Sequence, residues 1–442
     1  MCYNKNKHIG DYMNDSKYEL EVKNKVIILG VFLNKKNEGE NAFLDDMLEL
    51  KRLCESCEME VVTQIRQNLA EISAKTYIGS GKIEEIRMAK DSYDADTLVC
   101  NDELSPAQIE NLENALDMKV IDRTYVILEI FKRRAKTKEA ILQVEIASLK
   151  YYLPRLKGLR EGLSRQGGGK NKGKGETQLE LDRRKIESRL SFLSNELKDL
   201  SINRKSQRTL RQKNNMKIVA FVGYTNSGKS TTINTILKNY SEDYSEEKTL
   251  FQKDMLFATL ETSTRHVRLK GNIDFLITDT VGFINKLPHS LIEAFKSTLE
   301  ELSEVDLIVH VIDSSNPSYQ AQIDVTNKVL EELDVKDIKI LYAFNKQDKL
   351  DSYFYIPSAY ENAVRYSAKT QKGMDDLMNK ITELLFEDYH LSTFVIPYSD
   401  AKVAATIEET SKIINKRYED NIIIEARVSS HIYNLYNKYI VK

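Results

Sequence analysis

A glycine-rich segment that ends in lysine and serine carries the strongest chemical signal in the sequence. Residues 223–230 read GYTNSGKS, which fits the pattern G-x-x-x-x-G-K-[ST]. The apolar run KIVAFV precedes the segment, and the helical pattern STTINTILK follows it. Backbone N–H groups of such a loop surround a β-phosphate, the lysine reaches the β- and γ-phosphates, and the hydroxyl binds Mg²⁺. We therefore predict a nucleotide-phosphate site with Lys229 as its cation and Ser230 as a magnesium ligand.

A second apolar run is followed by residues that fit the same site. Asp279 begins the sequence DTVG directly after DFLIT, and Gly282 ends it. The carboxylate is expected to hold Mg²⁺ through its water shell, and the Gly282 N–H to contact the γ-phosphate. By itself, DTVG is more often a turn at the end of a strand.

Thr259, in FATLE, is our candidate for a switch threonine that closes on Mg²⁺ and the γ-phosphate. Its nearby rivals are Thr262, Ser263 and Thr264.

A third strand is followed by residues that select guanine. Asn345, Lys346 and Asp348 belong to NKQD, which comes after the apolar run IKILYAF. The Asp348 carboxylate can accept the N1–H and the 2-amino group of guanine, whereas adenine offers neither donor. Lys346 is expected along the purine face, Asn345 as a brace of the loop, and SAK at 367–369 as the donor of an N–H to the guanine oxygen. The joint order of these motifs predicts a GTP site.

The predicted site draws its contacts from five short segments. The predicted nucleotide contacts are Gly223, Tyr224, Thr225, Asn226, Ser227, Gly228, Lys229, Ser230, Thr231, Phe257, Ala258, Thr259, Leu260, Glu261, Asp279, Thr280, Val281, Gly282, Asn345, Lys346, Gln347, Asp348, Ser367, Ala368 and Lys369. The predicted catalytic residues are Lys229, Thr259 and Gly282. The predicted Mg²⁺ ligands are Ser230, Thr259 and Asp279. The expected reaction is Mg²⁺-dependent hydrolysis of GTP to GDP and phosphate.

The glutamine that orients the attacking water in many GTPases is missing. Its position, directly after DTVG, holds Phe283, whose ring cannot hydrogen-bond water. We therefore predict slow intrinsic hydrolysis that a partner accelerates.

Asn226 has two interpretations. The simpler one is that it stabilises the loop, and the other is that its carboxamide helps to place a monovalent cation such as K⁺ beside the phosphates.

Length and composition are typical of a soluble protein with several domains. The chain has 442 residues, of which 41% are hydrophobic and 30% charged, and this length predicts roughly two to four domains. No apolar run approaches the roughly 20 residues of a membrane span, and the N-terminus lacks the apolar stretch of a secretory signal. We expect a cytoplasmic protein. We also expect a monomer, because no heptad repeat persists beyond one predicted helical hairpin.

Alternating strand and helix patterns predict the α/β fold class. In the first 136 residues, strands are predicted at 25–33, 59–65, 97–100 and 119–122, and helices at 43–54 and 105–116. Ser105 is a candidate N-cap, with Pro106 at the first helical position. The predicted domains are an N-terminal parallel α/β domain at 1–136, a helical hairpin at 137–214, a P-loop GTP-binding domain at 215–389 and a small C-terminal α/β domain at 390–442. In the last of these, the pattern predicts strand, helix, strand and helix.

Positive charge is concentrated around the predicted hairpin. Residues 150–213 carry 18 Lys and Arg against 7 Asp and Glu, although the whole chain has a net charge of −2. Seven of the 17 glycines lie between 158 and 175, so this stretch is predicted to be a mobile basic loop between helices at 137–156 and 177–213. Such a block indicates either a polyanionic partner or a solvated helical face.

Two further motifs favour structural interpretations. Cys54 and Cys57 form a C-x-x-C pair inside a predicted helix, but no second pair completes a zinc site, and four cysteines are too few for a disulfide framework. GSGK at 79–82 lacks the first glycine of a phosphate-binding loop. We interpret both as parts of the fold.

Several stretches outside these motifs resemble one family, the HflX GTPases. They are TYIGSGK at 76–82, TKEAILQVEIASLKYYLPRL at 137–156, QGGGKNKGKGETQLELDRR at 166–184 and, around the GTP motifs, GYTNSGKST, FATLETSTR and DTVGFINKLPHSLIEAFKSTLEEL. The resemblance covers roughly residues 25–390, and GETQLELDRR is specific to the family. This sequence departs from the family in a more basic glycine-rich loop and in Glu-Thr where Asp-Pro is usual within FATLETSTR.

The resemblance implies a GTPase that binds the large ribosomal subunit and, in some members, splits ribosomes under stress. The basic loop would then enter ribosomal RNA, where lysine and arginine neutralise phosphates. The residues expected to contact RNA are Arg155, Lys157, Arg160, Arg165, Lys170, Lys172 and Lys174. A role in assembly of the large subunit fits the same features equally well. A GTP switch that binds a protein partner without RNA fits the basic loop less well.

Overall fold

The chain folds as two compact units. In the computed structural model, one unit comprises residues 1–204 with 285–295, and the other comprises residues 205–284 with 296–442. The structure describes residues 24–33, 39–166, 172–213, 216–242, 257, 263–269, 273–288, 291, 293–295, 300–335 and 338–441, and their side chains except at 157–166, 172–179, 201–213, 300 and 301. None of the described helices is long and apolar enough to cross a membrane.

The first unit is built on a four-stranded parallel sheet. Its strands are β1 (Lys25–Leu33), β2 (Glu60–Leu69), β3 (Thr97–Cys100) and β4 (Lys119–Asp122). Their order in the sheet is β2-β1-β3-β4, and every pair is parallel. Strand β1, KVIILGVFL, is buried over most of its length, as expected for a central parallel strand that is covered on both faces. The predicted N-terminal parallel α/β fold is confirmed.

Four helices pack around this sheet. They are α1 (Glu40–Ser56), α2 (Ser80–Tyr93), α3 (Pro106–Leu116) and α4 (Arg123–Arg134). Helix α3 begins as predicted, since the Ser105 hydroxyl accepts from the Gln108 N–H, the Gln108 side chain accepts from the Ser105 N–H, and Pro106 is the first helical residue. Gly79 precedes α2 and Lys82 lies in its first turn, which supports the structural interpretation of GSGK.

Two long helices form the hairpin of the first unit. They are α5 (Lys138–Gln166), which contains Pro154, and α6 (Lys172–Lys213). Leu142, Ile146 and Leu149 of α5 pack against Ile186 and Leu193 of α6. The predicted loop at 158–175 is wrong in its extent, because helix continues to residue 166 and resumes at residue 172. A helical glycine costs only about 1 kcal/mol relative to alanine, and the intervening Leu, Arg, Glu and Gln are good helix formers. Residues 167–171 lie outside the described part of the chain.

The C-x-x-C pair lies in the interior of the first unit. Cys54, Cys57 and Cys100 are buried, and none of these three described cysteines forms a disulfide. Burial raises the pKa of the Cys57 thiol to about 12 and raises the pKa of Cys54 and Cys100 as well. The Cys57 thiol contacts the Val126 carbonyl oxygen at 3.6 Å. These thiols are core residues rather than a redox pair.

We therefore expect the three buried thiols to be almost unreactive in the folded protein. The thiolate is the reactive form, and a rise of the Cys57 pKa from 9.0 to about 12 lowers the fraction of thiolate at pH 8 by about 10³-fold. In a Cys2→Ser variant, iodoacetamide should label no thiol of the native protein and all three after denaturation in guanidinium. Native labelling of Cys54 or Cys57 within minutes would contradict this assignment.

The second unit contains a six-stranded sheet that carries the predicted GTP motifs at its strand ends. Its strands are β5 (Lys217–Val222), β6 (Ser263–Leu269), β7 (Ile273–Asp279), β8 (Leu307–Asp313), β9 (Lys339–Asn345) and β10 (Ala363–Arg365). The order is β10-β9-β8-β5-β7-β6, with only β6 antiparallel to its neighbour. Helices α7 (Lys229–Tyr240), α8 (Tyr319–Glu332) and α9 (Met374–Leu385) pack against this sheet. Carboxyl ends of parallel strands meet at one edge, so β5, β7 and β9 bring their motifs together.

A small antiparallel sheet ends the chain. Its strands are β11 (His390–Ile396), β12 (Lys412–Tyr418), β13 (Ile422–Val428) and β14 (Ile440–Val441), in the order β12-β13-β11-β14. Helices α10 (Ala401–Thr410) and α11 (Ser430–Leu435) supply Ala404, Ile407 and Ile432 to a core with one face of this sheet. The predicted order of strand, helix, strand and helix omitted two strands. The break at Glu419–Asn421 was missed because the KIINKRYEDNIIIEARV segment is strand-forming on both sides of it.

Candidate functional site

The glycine-rich segment forms a tight loop between β5 and α7. Gly223 and Gly228 have φ angles of 143° and 100°. A Cβ on Gly223 would lie 2.2 Å from the Val311 carbonyl oxygen, and one on Gly228 would lie 2.2 Å from Asn345 Nδ2. Only glycine fits at either position, so the loop backbone forms a cradle that a phosphate can approach closely. The loop leads directly into the N-terminus of α7, which favours a bound anion.

Lys229 extends its ammonium back over this loop. The side chain is buried, and Nζ donates to the carbonyl oxygens of Gly223 at 3.0 Å and Tyr224 at 2.9 Å. Burial lowers the pKa of Lys229 to about 8, with the Asp279 carboxylate opposing the shift and the Lys346 ammonium adding to it. A phosphate would bring negative charge to this buried ammonium, in charge-assisted hydrogen bonds stronger than those to carbonyls. The geometry fits the predicted role of Lys229 at the β- and γ-phosphates.

Two predicted magnesium ligands lie in contact with each other. The Ser230 hydroxyl donates to Asp279 Oδ2 at 2.9 Å, from the start of α7 to the end of β7. A hydroxyl and a carboxylate are hard oxygen donors of the kind that Mg²⁺ takes together with waters and phosphates. The donor set therefore fits Mg²⁺, which Ser230 and Asp279 would hold and whose positive charge would offset the negative charge of the phosphates. Thr259, the third predicted ligand, lies outside the described residues together with Ala258, Leu260 and Glu261.

Phe283 is joined to the phosphate loop through its backbone. Its N–H donates to the Gly223 carbonyl oxygen at 3.1 Å, and its carbonyl oxygen accepts from the Thr225 N–H at 2.7 Å. The Phe283 side chain is only 2% exposed. A Cβ on the preceding Gly282 would meet Thr225 and Lys229 within 3.0 Å. Gly282 thus lies beside the phosphate loop, whereas the ring that replaces the usual glutamine is packed in the protein interior.

Asn345 connects the phosphate loop (223–230) to the two predicted base-binding loops (346–348 and 367–369). Its Nδ2 donates to the Ser227 carbonyl oxygen at 2.9 Å. Its Oδ1 accepts from the Lys346 N–H at 2.7 Å and from the Ala368 N–H at 3.0 Å. The side chain is 2% exposed, so these bonds form in an environment where an unmade hydrogen bond is costly. The contacts support the interpretation of Asn345 as a brace.

Asp348 lies at the surface of the base-binding loop. The residue is exposed, and Oδ1 accepts from the Ser367 hydroxyl at 2.6 Å, so one carboxylate oxygen is oriented by the SAK loop. Lys346 pairs with Asp313 at 2.7 Å, which holds the lysine stem beside the loop. Two of the three SAK N–H groups are bonded within the protein, Ser367 to the Lys372 carbonyl oxygen and Ala368 to Asn345.

Sequence reasoning missed a hydroxyl pair that connects the phosphate-binding helix to the base-binding loop. The Tyr366 hydroxyl lies 2.8 Å from the Thr232 hydroxyl, and Thr232 Oγ1 lies 2.8 Å from the Gly228 carbonyl oxygen. Tyr366 is 1% exposed and immediately precedes SAK. Asp313, at the end of β8, was also missed. Asp313 could have been identified from its position at the end of a predicted strand, at the same sheet edge as the GTP motifs. No local sequence pattern identifies Tyr366 or Thr232.

We expect Tyr366→Phe to weaken GDP binding about three- to tenfold, because it removes one buried hydrogen bond and leaves the ring in the core. Fluorescent GDP titration would measure the dissociation constant. Tyr240→Phe is a matched control, since Tyr240 is the last residue of α7 and its hydroxyl donates to Asp375 of α9. If the two hydroxyls act together, the double variant Thr232→Val with Tyr366→Phe should bind GDP no more weakly than the single variant that binds it more weakly. Additive losses would contradict this connection.

The chain that follows the DTVG segment is bound within the first unit. Lys286 pairs with Asp102 at 2.7 Å and with Asp46 at 3.3 Å. Although burial opposes it, the carboxylates of Asp102 and Asp46 raise the pKa of Lys286. Arg123 donates to the Asn285 carbonyl oxygen at 3.1 Å, and Asn285 Nδ2 donates to Asp46 at 2.8 Å. Only Phe283 and Ile284 separate Gly282 from these contacts along the chain.

Arg155 is the one proposed RNA contact whose side chain the structure describes, and it is buried. Its guanidinium pairs with Asp122 at 3.2 Å, donates to the Leu104 carbonyl oxygen at 2.9 Å and stacks over the Tyr151 ring at 3.5 Å. A guanidinium committed to these partners is not accessible to a phosphate backbone, so the expectation for Arg155 is corrected. The side chains of Lys157, Arg160, Arg165, Lys170, Lys172 and Lys174 lie outside the described part.

Three family models match consecutive parts of the chain. A model described as GTP-binding GTPase N-terminal matches residues 45–132, and one described as GTP-binding GTPase Middle Region matches residues 134–211. A third, described as 50S ribosome-binding GTPase, matches residues 218–346. A solved GTP-binding protein from Sulfolobus solfataricus in complex with GDP aligns over 82% of this chain and 99% of its own, with 24% identity and a TM-score of 0.43.

Curated relatives match nearly the whole chain. GTPase HflX of Caldanaerobacter subterraneus subsp. tengcongensis is 39% identical over 98% of this chain and 97% of that protein. GTPase HflX of Lacrimispora saccharolytica is 42% identical, with 93% and 95% covered. GTPase HflX of Escherichia coli K12 is 35% identical, with 87% and 89% covered. With this similarity and with the GTP motifs gathered at one sheet edge, the chain belongs to the HflX family of GTPases and hydrolyses GTP.

Proposed function

We propose that this GTPase binds the large ribosomal subunit, that the particle accelerates its hydrolysis of GTP, and that the cycle remodels or splits ribosomes, as under stress. The observation that carries the proposal is the match of residues 218–346 to a model described as 50S ribosome-binding GTPase. The interior position of the Phe283 side chain, at 2% exposure, supports the need for a partner. We therefore propose that the ribosome helps to supply the group that orients the attacking water.

The basic stretch around the hairpin is the proposed RNA-binding region. Residues 150–213 carry 18 Lys and Arg against 7 Asp and Glu, and cations that neutralise phosphates supply affinity that falls steeply with salt. With Arg155 removed from the set, the proposed contacts are Lys157, Arg160, Arg165, Lys170, Lys172 and Lys174. Large-subunit ribosomal RNA is the proposed partner of these side chains.

The test is steady-state GTP hydrolysis by the protein alone, with small subunits, with large subunits and with whole ribosomes. We expect stimulation by large subunits and whole ribosomes but not by small subunits. Replacement of Lys170, Lys172 and Lys174 by alanine should abolish co-sedimentation with large subunits. A matched triple replacement of the exposed Lys75, Lys132 and Lys402 should not. The absence of stimulation by every particle would remove the ribosome from the proposal.

Two measurements distinguish ribosome splitting from assembly of the large subunit. Light scattering of whole ribosomes should fall on addition of protein and GTP if the protein splits them. Accumulation of precursor particles in a strain depleted of the protein, without splitting in vitro, would instead favour a role in assembly of the large subunit.

The P-loop asparagine allows a direct test of the monovalent-cation hypothesis. Asn226 is exposed and has a φ of 59°, a conformation that asparagine adopts more readily than most residues. If it also places K⁺ beside the phosphates, hydrolysis should be at least about tenfold faster in potassium than in sodium, because a fixed positive charge stabilises the transition state. Asn226→Gly, which tolerates the same φ, should then remove the difference. Equal rates of the wild type in both salts would leave only the structural role.

A further inference from the structure

The C-terminal sheet has one covered face and one open face. Phe394, Ile396, Ile424 and Val428 point into the core that the sheet forms with α10 and α11. Alternate residues of each strand point the other way. The family models reach residue 346 and leave this part of the chain unmatched.

Strand pairing places the residues of the open face in three rows. The first row contains Leu391, Arg427 and Lys412, the second contains Val441, Thr393, Glu425 and Asn415, and the third contains Val395, Ile423 and Arg417. Aliphatic side chains therefore lie mainly on β11 and β14, and the cations lie on β12 and β13. The open face is half apolar, with a basic margin.

The aliphatic half is accessible to solvent. Leu391 is 58% exposed and Val441 is 56% exposed. Val395 and Ile423, which pair with each other in the third row, are partly exposed. Neighbouring aliphatic residues on one sheet face form a patch rather than scattered exposed residues, and such a patch with a polar rim is typical of a protein-binding surface.

The basic margin does not stabilise the sheet itself. Lys412 and Arg427 lie directly opposite each other on neighbouring strands, where like charges repel. Among the described residues, no carboxylate lies within 4.0 Å of the charged groups of Lys412, Arg417 or Arg427. By contrast, Lys416 on the covered side of β12 pairs with Glu408 of α10 at 2.5 Å. An anionic partner would relieve the repulsion that the fold tolerates.

We infer that the open face of the C-terminal sheet binds an amphipathic helix with an apolar stripe and one acidic flank, from a protein of the large ribosomal subunit. Such a helix matches both halves of the face, with its apolar stripe over β11 and its acidic flank over β12 and β13. RNA fits less well, because the face carries one carboxylate, Glu425, beside its three cations and no aromatic ring for base stacking. The inference rests on the proposed function, which it extends by naming the class of a second partner.

The test is a photo-cross-link from the open face to purified large subunits. With p-benzoylphenylalanine in place of Leu391, we expect an adduct to one ribosomal protein, within an acidic helix. The combined variant Lys412→Glu with Arg427→Glu should lower the adduct yield about tenfold or more through charge repulsion. Lys402→Glu, a matched change on the exposed surface of α10, should leave the yield unchanged. A melting temperature within a few degrees of wild type would confirm that each variant folds.

The outcomes separate this inference from the proposed function. Adducts to ribosomal RNA, or no adduct from a protein that still sediments with large subunits, would overturn the inference and leave the proposed function standing. A charge-reversed variant with an undiminished protein adduct would overturn the assigned chemistry of the partner. Failure of the wild-type protein to sediment with large subunits would overturn both.

Discussion

Replacement of Asp348 by asparagine is expected to raise the KM for GTP by about 10²–10⁴-fold. Guanine is expected to donate two hydrogen bonds to the Asp348 carboxylate, each worth about 1.5–3 kcal/mol. The change removes this charged acceptor and turns an amide donor toward the guanine donors. The Ser367 hydroxyl, 2.6 Å from Asp348, can still donate to the asparagine oxygen, so the loop should keep its conformation. Steady-state kinetics with GTP over a wide concentration range would measure the loss.

Xanthosine triphosphate supplies the control for this prediction. Xanthine carries a carbonyl oxygen where guanine has its 2-amino group, and it can therefore accept from the new amide. The variant should hydrolyse xanthosine triphosphate with a KM lower than its own for GTP, while the wild type shows the reverse preference. A variant whose KM rose equally for both nucleotides would indicate that the loop has collapsed. A variant whose KM for GTP stayed unchanged would disprove the role of Asp348.

Gly228→Ala is expected to weaken binding of GDP by about 10²-fold or more. The φ angle of 100° strains any residue with a Cβ by about 1–3 kcal/mol. The new methyl would also lie 2.2 Å from Asn345 Nδ2, which bonds the Ser227 carbonyl oxygen at 2.9 Å. Displacement of Asn345 would disturb the phosphate loop and both base-binding loops together. Isothermal titration with GDP would measure the effect.

Gly81→Ala is a matched control for this change, since a Cβ there meets nothing within 4 Å. It should leave GDP binding unchanged. Because Gly228→Ala is strained, its fold has to be verified by circular dichroism and by an unchanged thiol-labelling pattern in the first unit. A folded Gly228→Ala variant that binds GDP as tightly as the wild type would contradict this prediction. It would show that the loop accommodates the new methyl group without displacing Asn345.

The helices, the strands and the ends of the strands could largely be predicted from local sequence, because they depend on apolar runs and capping residues within the element itself. The apolar runs of β1, β5, β7 and β9 mark buried parallel strands, and Ser105 with Pro106 marks a helix start within four residues. The nucleotide motifs follow the strands that position them, so topology brings them together once the sheet is recognised as parallel. The extent of α5 and α6 was missed because glycine weakens a helix by little and does not by itself end it.

The sequence by itself predicted candidate residues for phosphate, Mg²⁺ and guanine, because each candidate belongs to a short motif whose residue types are visible without the fold. Only the tertiary structure decided that Arg155 is buried against Asp122 rather than exposed to RNA. It also decided that Tyr366 contacts Thr232, although the two residues are 134 positions apart in the sequence. It placed the cations of β12 and β13 on the same open face as the aliphatic residues of β11. Periodicity indicates which side of an element a residue occupies. It carries no information about which distant element packs there, since that depends on contacts between segments far apart in the chain.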